Sequence, residues 1–523
     1  MKLFDLLLCG ASQSPEKAAV VHGDHTISYR DLLVAVVAVA RELQRLPRGS
    51  RVAILSENSV NYVISFFAVC RAGLVVVPLD TSLKPEKLHD IIVDCGALTL
   101  MVSNRYASMV DSLVSDESPI ELVLSEGSLS SKSTAVSHMN MATLLADVQD
   151  ATLQELADSE IDRLSHAEPL LYDNLPECSD DLAAIFYTSG STGDSKGVML
   201  SHRNLITNTI ATNEYLKLTA EDSVIVILPF YYIYGNSLML THVACGGQLI
   251  VENRFAYPQV VLQTMVRYEV TGFSGVPSNF MILLNNAAFT QKQLPHLRYL
   301  TQAGGAMPPH VIEHLIDVFR DRDIYIMYGQ TEASPGISYL PPEMLADNVG
   351  SVGVPLKGVA VQICDEAGNE LPRDELGEVV VSGDLVMMGY WNQPDEQDQV
   401  LKAGRLYTGD LGRIDDDGLL WIVSRKKEII KVGGHRVSAR EVEECIAAHP
   451  AIAEVAVVGV PDDTLGEALK AVVVLSNDQT ADAKAIQDHC RINLGPTKAP
   501  RHVIFTDALP RYQSGKVNKL ALT

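Results

Sequence analysis

Short runs of valine, isoleucine and leucine alternate along the chain with longer segments in which apolar residues recur every three or four positions. An apolar run at 52–55 is followed by a helical period over 59–71 and by a second apolar run at 73–79. The same order returns further along, with apolar runs at 224–228, 248–251, 272–275 and 299–301. Buried strands that alternate with helices form parallel sheets covered on both faces. The pattern therefore predicts an α/β fold whose large N-terminal domain is built on doubly wound parallel sheets.

From about residue 350 the pattern changes to short apolar strands separated by glycine and aspartate turns. Residues 379–383 end on Ser-Gly, and residues 415–418 read Asp-Asp-Asp-Gly. Turn signals at this spacing predict a β-rich subdomain. The acidic, mixed stretch 147–181 shows no clear period, and we expect it to be an irregular connector.

The last hundred residues carry a pattern of their own. A helix is predicted over 439–448, and strands are predicted over 454–459 and 471–475. These elements form a small α+β domain after the β-rich subdomain. The predicted domains are 1–424 and 425–523.

Charge and length narrow the classes of function. The chain has 523 residues, more than one ordinary core accommodates, and a formal net charge of −24. Non-specific nucleic-acid binding needs a basic face, so we expect no nucleic-acid partner. An anionic ligand would have to be held by local lysines and backbone dipoles against the overall field.

The cysteines and the apolar segments indicate the compartment. Eight cysteines are scattered without Cys-x-x-Cys or metal-ligand spacing, which is typical of reduced, buried thiols. The apolar run 32–40 is too short to cross a bilayer, and the run near the N-terminus is too short for a signal sequence. We expect a cytoplasmic protein with no membrane span, either a monomer or a homodimer.

The segment 187–197 is the most informative one in the chain. It reads Tyr-Thr-Ser-Gly-Ser-Thr-Gly-Asp-Ser-Lys-Gly and follows the apolar run 182–186. Open backbone N–H groups, small hydroxyl donors and one lysine suit a polyphosphate. The segment lacks the Gly-Lys-Ser/Thr order of the common kinase and GTPase loop.

Further motifs accompany this loop in a fixed order. They are Ala-Gly at 72–73, Val-Pro-Leu-Asp at 77–80, Leu-Pro-Phe-Tyr-Tyr-Ile-Tyr-Gly at 228–235, Ala-Gly-Gly-Ala at 303–306, Tyr-Gly-Gln-Thr-Glu at 328–332, Gly-Glu at 377–378, Tyr-Thr-Gly-Asp-Leu at 407–411, Ser-Arg-Lys-Lys-Glu-Ile-Ile-Lys-Val-Gly-Gly at 424–434 and Ser-Gly-Lys at 514–516. The series resembles the adenylate-forming superfamily of acyl-CoA synthetases, adenylation domains and luciferase-like ligases. The resemblance covers almost the whole chain.

The resemblance implies an ATP site. The loop would wrap the β- and γ-phosphates, and Thr188 and Glu332 would help to hold Mg²⁺, a hard cation that prefers oxygen ligands. Asp410 has the chemistry to accept hydrogen bonds from both ribose hydroxyls, Arg425 could add a charge-assisted donor, and Tyr328 offers adenine a flat face. The expected ATP-binding residues are Thr188, Ser189, Gly190, Ser191, Thr192, Gly193, Lys196, Gly304, Gly305, Ala306, Tyr328, Gly329, Thr331, Asp410, Arg425 and Lys516.

The resemblance also implies a two-step reaction with a moving C-terminal domain. Lys516 would bridge the substrate carboxylate and the α-phosphate, and Lys427 would be the hinge between the steps. Lys431, Gly433 and Gly434 would then line the tunnel for a pantetheine arm, where backbone without side chains leaves room for the thiol. The expected catalytic residues are Lys516, Glu332 and Thr188. The expected substrates are ATP, a carboxylic acid and CoA.

Two positions depart from the pattern. Most members have proline before the loop lysine, whereas this chain has Ser195, which loosens the loop without removing a ligand. Amino-acid-activating members place an aspartate after the aromatic gate, whereas Ile233 follows the candidate gate Tyr232. Because a buried ammonium without a partner is costly, an α-amino acid is disfavoured.

The acid is therefore expected to have a neutral tail, either aryl or a fatty chain of short to medium length. The expected pocket residues are Tyr232, Ile233, Gly235, Asn236, Ser274, Gly275, Val276, Gly304, Gly305 and Ala333. A separate phosphopantetheinyl carrier protein is the alternative thiol acceptor. A luciferase-like oxygenase and an inactive regulatory protein that kept the fold are the other readings.

Overall fold

The fold is described from a computed structural model of the chain. It describes residues 1–115, 117–127, 136–146, 151–164, 170–189, 195–462, 464–476, 479–511 and 517–523.

The strands and helices of the described residues follow in chain order. The strands are β1 (Ala18–His22), β2 (His25–Ser28), β3 (Arg51–Leu55), β4 (Val75–Pro78), β5 (Ala97–Val102), β6 (Leu122–Ser125), β7 (Ser137–Asn140), β8 (Leu182–Ser189), β9 (Ser195–Ser201), β10 (Ser223–Val226), β11 (Gln248–Val251), β12 (Gly272–Gly275), β13 (Tyr299–Gln302), β14 (Asp323–Gly329), β15 (Gly336–Leu340), β16 (Val354–Pro355), β17 (Ala360–Cys364), β18 (Gly377–Ser382), β19 (Gly389–Tyr390), β20 (Leu401–Lys402), β21 (Arg405–Ile414), β22 (Leu420–Arg425), β23 (Ile429–Val432), β24 (His435–Ser438), β25 (Ile452–Asp462), β26 (Gly466–Leu475) and β27 (His502–Phe505). The α-helices are α1 (Leu3–Gln13), α2 (Tyr29–Leu43), α3 (Val60–Arg71), α4 (Pro85–Cys95), α5 (Val110–Leu113), α6 (Met141–Ala146), α7 (Ala151–Leu164), α8 (His202–Leu216), α9 (Ile233–Ala244), α10 (Pro258–Arg267), α11 (Pro277–Leu284), α12 (Pro309–Val318), α13 (Pro394–Val400), α14 (Ala439–Ala447) and α15 (Ala483–Leu494).

Two large sheets form the N-terminal part. The first has the strand order β19-β9-β8-β4-β3-β5-β6-β7, and its strands from β8 to β7 run parallel. The second has the order β16-β15-β14-β13-β12-β10-β11-β1-β2 and is parallel from β14 to β1. The antiparallel strands lie at the edges of both sheets. The expected doubly wound architecture is confirmed.

The main core lies between these two sheets. In β3, Val52 and Ile54 belong to the central cluster, whereas Ala53 and Leu55 belong to an outer cluster together with residues of α4. The central cluster also contains residues of α1, α2 and α3 and of the second sheet. Residues 32–40 of α2 are all buried, which explains their apolar composition, since a helix that is apolar on all sides is enclosed by protein.

The β-rich subdomain and the C-terminal part each have a smaller sheet. β17, β18, β21, β20 and β22 form the third sheet, and β24, β23, β26, β25 and β27 form the fourth. The fourth sheet has its own core with α14 and α15, which confirms the expected α+β fold there. β22 ends at Arg425 and the fourth sheet begins at Ile429; the domain boundary after residue 424 remains a prediction.

The expectation of an irregular connector over 147–181 is wrong in part, because α7 occupies 151–164. Leu153, Ala157 and Ile161 are buried at a spacing of four residues, so they form one apolar stripe. Acidic residues on the other faces of the helix obscure this stripe in the sequence.

Candidate active site

The glycine-rich segment connects two antiparallel strands. β8 and β9 pair in a register that places Thr188 opposite Lys196 and Ser189 opposite Ser195. Gly190, Ser191, Thr192 and Gly193 lie outside the described residues, as does the side chain of Ser189. The segment is thus a hairpin at one side of the first sheet, and its two flanks hold Thr188 and Lys196 next to each other.

Lys196 lies in a chain of polar contacts that reaches Glu332. Its ammonium forms an ion pair with Glu396 and lies 5.2 Å from the ring centroid of Tyr390. The Tyr390 hydroxyl donates a 2.8 Å hydrogen bond to Oε1 of Glu332. Burial and the nearby Glu332 carboxylate raise the pKa of Tyr390, so its hydroxyl remains a donor at neutral pH. One tyrosine therefore joins the hairpin lysine to the expected metal-binding carboxylate.

Backbone pairing positions this tyrosine. β19 is antiparallel to β9, with Tyr390 opposite Val198. The N–H of Trp391 donates to the Gly197 carbonyl at 2.7 Å. The N–H of Met387 donates to the carbonyl of Glu332 at 2.9 Å. The 387–391 segment is therefore hydrogen-bonded both to the hairpin and to the segment that carries Glu332.

A second group surrounds Asp410, whose side chain is almost fully buried. Tyr328 donates its hydroxyl to Oδ2 of Asp410 at 2.6 Å, and Nε of Arg425 lies 3.0 Å from Oδ1. β21 and β22 place Asp410 and Arg425 opposite each other. Burial, followed by the Asp410 charge, raises the pKa of Tyr328 well above its usual value. The carboxylate is thus held by one hydrogen bond, from the Tyr328 hydroxyl, and by an ion pair with Arg425.

Close backbone approach explains the glycines between these groups. A Cβ on Gly329 would lie 1.9 Å from the carbonyl oxygen of Pro335, so no other residue fits the present backbone. Gly304 has a φ of 83°, in the left-handed region that favours glycine. Gln302 donates to the Gly305 carbonyl at 2.8 Å, which holds the bend at Gly304 and Gly305 that precedes Ala306. Thr331 begins a short 3₁₀ turn that ends at 333 and includes Glu332.

The expected acid pocket draws on helix α9 and two strands of the second sheet. The Tyr234 hydroxyl and the Thr301 hydroxyl lie 2.9 Å apart, and Thr301 donates to Ser274 at 2.7 Å. Gly235 lies in the first turn of α9, where a Cβ would be 2.1 Å from the Pro229 carbonyl. Ile233, Gly275, Val276 and Ala333 are also buried. The structure therefore brings Tyr234, Thr301 and Ser274 of these elements together.

An acidic side chain that the sequence did not indicate contacts the candidate gate. The hydroxyl of Tyr232 donates to Oδ2 of Asp80 at 3.0 Å. Oδ1 of Asp80 accepts hydrogen bonds from the backbone N–H and the hydroxyl of Ser82. Asp80 ends one of the ordered motifs, but only the fold brings it to Tyr232. Both oxygens of Asp80 already accept hydrogen bonds from these neighbours, so Asp80 is a weaker partner for a substrate ammonium.

The expected thiol-tunnel residues lie on the first hairpin of the fourth sheet. Gly433 and Gly434 form its turn, with φ values of 56° and 85°, and β23 and β24 flank them. The N–H of Lys431 donates to Glu467 at 2.8 Å. Lys427 lies in a short 3₁₀ turn, and its side chain is not described. Lys516 lies outside the described residues.

The chain end is fixed beside the expected hinge. The ammonium of Lys519 forms ion pairs with Glu428 at 3.2 Å and with Glu443 at 2.9 Å. Glu428 directly follows Lys427, so the end of the chain is tied to the expected hinge segment. Burial raises the pKa of Glu443, although the Lys519 charge opposes this effect. No sequence pattern indicates this contact, because it joins residues that are distant along the chain.

Comparisons with known proteins decide the family. Residues 10–391 match the sequence profile of the AMP-binding enzyme family, and residues 441–516 match its C-terminal domain. The chain belongs to the AMP-binding enzyme family. The resemblance inferred from the ordered motifs, and the expectation of an enzyme with this fold, are thereby confirmed.

Family relatives share the full length of the chain. A long-chain-fatty-acid–CoA ligase of Salmonella typhimurium is 32% identical, covering 98% of this chain and 93% of that protein. A feruloyl-CoA synthase of an Amycolatopsis species is 31% identical, covering 97% and 96%. The ATP-bound crystal structure of MatB from Rhodopseudomonas palustris has a TM-score of 0.85 at 29% identity, covering 100% and 98%.

Neither a membrane-spanning helix nor a metal-binding cluster occurs among the described residues. Among the described residues, no helix is long and apolar enough to cross a membrane. Within the same residues, no cluster of three or more His, Cys, Asp or Glu side chains could hold a metal by itself. The eight cysteines are free thiols, and seven of them are buried. The cytoplasmic location and the oligomeric state remain predictions.

Two buried asparagines on neighbouring helices give a stability test. Both amide atoms of Asn236 lack a hydrogen-bond partner among the described residues, whereas Asn208 donates to the Gly336 carbonyl at 2.9 Å. An unpaired buried amide costs about 1–3 kcal/mol, so Asn236→Leu should raise the free energy of unfolding by up to that amount. Asn208→Leu should lower it. Denaturant unfolding measures both; equal destabilisation by the two variants would contradict the assignment of Asn236 as unpaired.

Proposed function

We propose that the protein joins a carboxylic acid to CoA in two steps, with ATP as the energy source. In the first step the acid becomes an acyl-adenylate and pyrophosphate leaves. In the second step a thiol takes the acyl group and AMP leaves. The proposal depends on one observation, the chain of contacts from Lys196 through Tyr390 to Glu332. These contacts bring an ammonium and a carboxylate from distant segments together beside a glycine-rich hairpin.

The proposed nucleotide site extends from the hairpin to Asp410. The hairpin N–H groups, its hydroxyls and Lys196 would take the β- and γ-phosphates. Asp410 would accept hydrogen bonds from the ribose hydroxyls, with Arg425 as its cationic neighbour. Tyr328 would lie against adenine, and its hydroxyl, which already donates to Asp410, anchors the outer end of the ring. The ATP-bound relative supports this use of the fold.

Magnesium fits the donor set at the phosphate end of this site. Glu332 offers a carboxylate and Thr188 a hydroxyl, the oxygen ligands that a hard cation takes together with phosphates and water. When bound, Mg²⁺ would neutralise charge on the phosphates. Tyr390 would orient Glu332, since its hydroxyl already donates to one carboxylate oxygen.

Alignment of the acid carboxylate with the α-phosphorus supplies most of the catalysis of the first step. A carboxylate oxygen of the acid attacks the α-phosphorus, the new P–O bond forms, and the bond to the leaving pyrophosphate breaks. This displacement needs alignment and charge neutralisation rather than proton transfer. We assign Lys516 to the carboxylate and the α-phosphate, where its ammonium would stabilise the charge that develops in the transition state.

The second step needs a different face of the C-terminal domain. The thiol sulfur attacks the acyl carbonyl carbon, its proton is lost to solvent, and the bond to AMP breaks. We assign Lys427 to the hinge, and Lys431, Gly433 and Gly434 to the surface around the thiol arm. The relatives that carry CoA in their names support CoA as the acceptor.

The acid is proposed to carry a neutral tail, either aryl or fatty. The contacts among Tyr234, Thr301 and Ser274 are polar but uncharged, and the adjacent Ile233 and Val276 are apolar. The acidic side chain that contacts the gate, Asp80, is engaged by Tyr232 and Ser82. A feruloyl-CoA synthase and a long-chain-fatty-acid–CoA ligase among the relatives support both tail types.

Replacement of Lys516 tests the first step. Lys516→Ala should lower the rate of adenylation by about 10²–10³, the cost of removing one preorganised donor to developing charge. Acid-dependent ATP–pyrophosphate exchange measures this rate. Lys484→Ala, which removes an exposed lysine of α15, is the matched control and should leave exchange unchanged. Near-normal exchange by Lys516→Ala would refute the role of this lysine.

A substrate screen tests the acid and the acceptor. Pyrophosphate release should occur with aryl or fatty acids and be weakest with α-amino acids, because Asp80, the described carboxylate at the gate, already accepts hydrogen bonds from Tyr232 and Ser82 and a buried ammonium without a partner is costly. The best acid is then tested with CoA and, separately, with a phosphopantetheinylated carrier protein. Thioester formation with CoA supports the proposal, whereas transfer to the carrier alone would replace CoA as the acceptor. If none of the acids tested, of any class, supports pyrophosphate release, the proposed function is wrong.

A further inference from the structure

The loop lysine already has an anionic partner within the protein. The ammonium of Lys196 forms an ion pair with Glu396 of helix α13. The Lys196 side chain is 14% exposed and that of Glu396 is 39% exposed, so the pair is partly shielded from water. The ammonium also lies over the ring of Tyr390, 5.2 Å from its centroid. Lys196 is therefore held between an aromatic face and a carboxylate.

An arriving polyphosphate would face this carboxylate directly. A lysine ammonium is a compact charge with three donors, and its attraction to a phosphate weakens when another anion neutralises it nearby. The Glu396 carboxylate would also repel the phosphates at short range, where screening by salt is incomplete. The ion pair and a bound triphosphate thus compete for the same cation.

Helix α13 allows Glu396 to leave without disturbing the core. The helix buries none of its residues, and Glu396 is its third residue. Tyr390 would stay in place, because its hydroxyl is bound to Glu332 and its backbone is paired with β9. Loss of the ion pair therefore frees Lys196 while keeping its aromatic contact.

We propose that Glu396 is an internal counter-anion of the ATP site, which holds Lys196 in the nucleotide-free protein and which the β- or γ-phosphate displaces. This inference rests on the proposed function, since it places the phosphates at Lys196. It assigns Glu396 as a positioning residue that weakens ATP binding and keeps the lysine ordered. The competition is specific to ligands that carry phosphates beyond the first.

Equilibrium binding to the full chain without acid tests the proposal. ATP and AMP are titrated in turn, each with Mg²⁺, into wild type and Glu396→Gln. If the pair stabilises the nucleotide-free protein by up to about 1 kcal/mol, as partly exposed ion pairs do, its removal should tighten ATP binding about twofold to fivefold. AMP binding should not change, because the proposal places only the β- and γ-phosphates at Lys196.

Asp398→Asn is the matched control. It removes one negative charge from an exposed position of the same helix, so it reproduces the change in net charge without touching Lys196. It should leave the affinities for both nucleotides at their wild-type values. Equal tightening by Asp398→Asn and Glu396→Gln would show a general charge effect and overturn the proposal.

Further outcomes separate this inference from the proposed function. If Glu396→Gln binds ATP with the same affinity as wild type, or more weakly, the inference is wrong. The proposed function still stands in that case if wild type releases pyrophosphate normally. Wild type that neither binds ATP nor releases pyrophosphate overturns both. Glu396→Ala serves as a second variant. If both variants unfold, the pair is a structural clamp and the proposal is wrong.

Discussion

The contact of Tyr390 with both Glu332 and Lys196 is the interaction on which the candidate site depends. Its hydroxyl binds the carboxylate, and its ring covers the ammonium. Lys196 and Tyr390 lie on strands of the first large sheet, whereas Glu332 follows β14 of the second. Any shift of β19 against β9 would separate the expected phosphate-binding and metal-binding groups. The pairing of two short strands therefore controls the geometry of the proposed chemistry.

The main energetic cost of this arrangement is the burial of charged side chains, in a protein whose net charge is −24. Asp410 is almost fully buried, and an isolated buried carboxylate would be strongly unfavourable. Tyr328 and Arg425 offset that cost, because the tyrosine hydroxyl donates a hydrogen bond to one oxygen and the guanidinium forms an ion pair with the other. Lys196 is likewise paired with Glu396 rather than left alone. Contacts within the protein thus preorganise the site. A bound nucleotide would share Tyr328 and Arg425 with Asp410, and it would displace Glu396 from Lys196.

Local patterns predicted the fold better than they predicted the site. The alternation of apolar runs with helical periods indicated β3, α3 and β4 because each period reflects burial within its own segment. The contacts of Tyr390, Glu396 and Asp80 had no such signal, since their partners lie far away along the chain. The ordered motifs predicted roles for Glu332 and Asp410 through family resemblance alone, and these roles remain predictions. Helix α7 was missed because acidic residues surround its apolar stripe.

The most direct test of the account is a crystal structure of the protein with Mg²⁺ and a non-hydrolysable ATP analogue. The account predicts the ribose hydroxyls within hydrogen-bond distance of Asp410 and the terminal phosphates at Lys196, next to the hairpin. A nucleotide bound elsewhere, with Asp410 still contacted only by Tyr328 and Arg425, would contradict it.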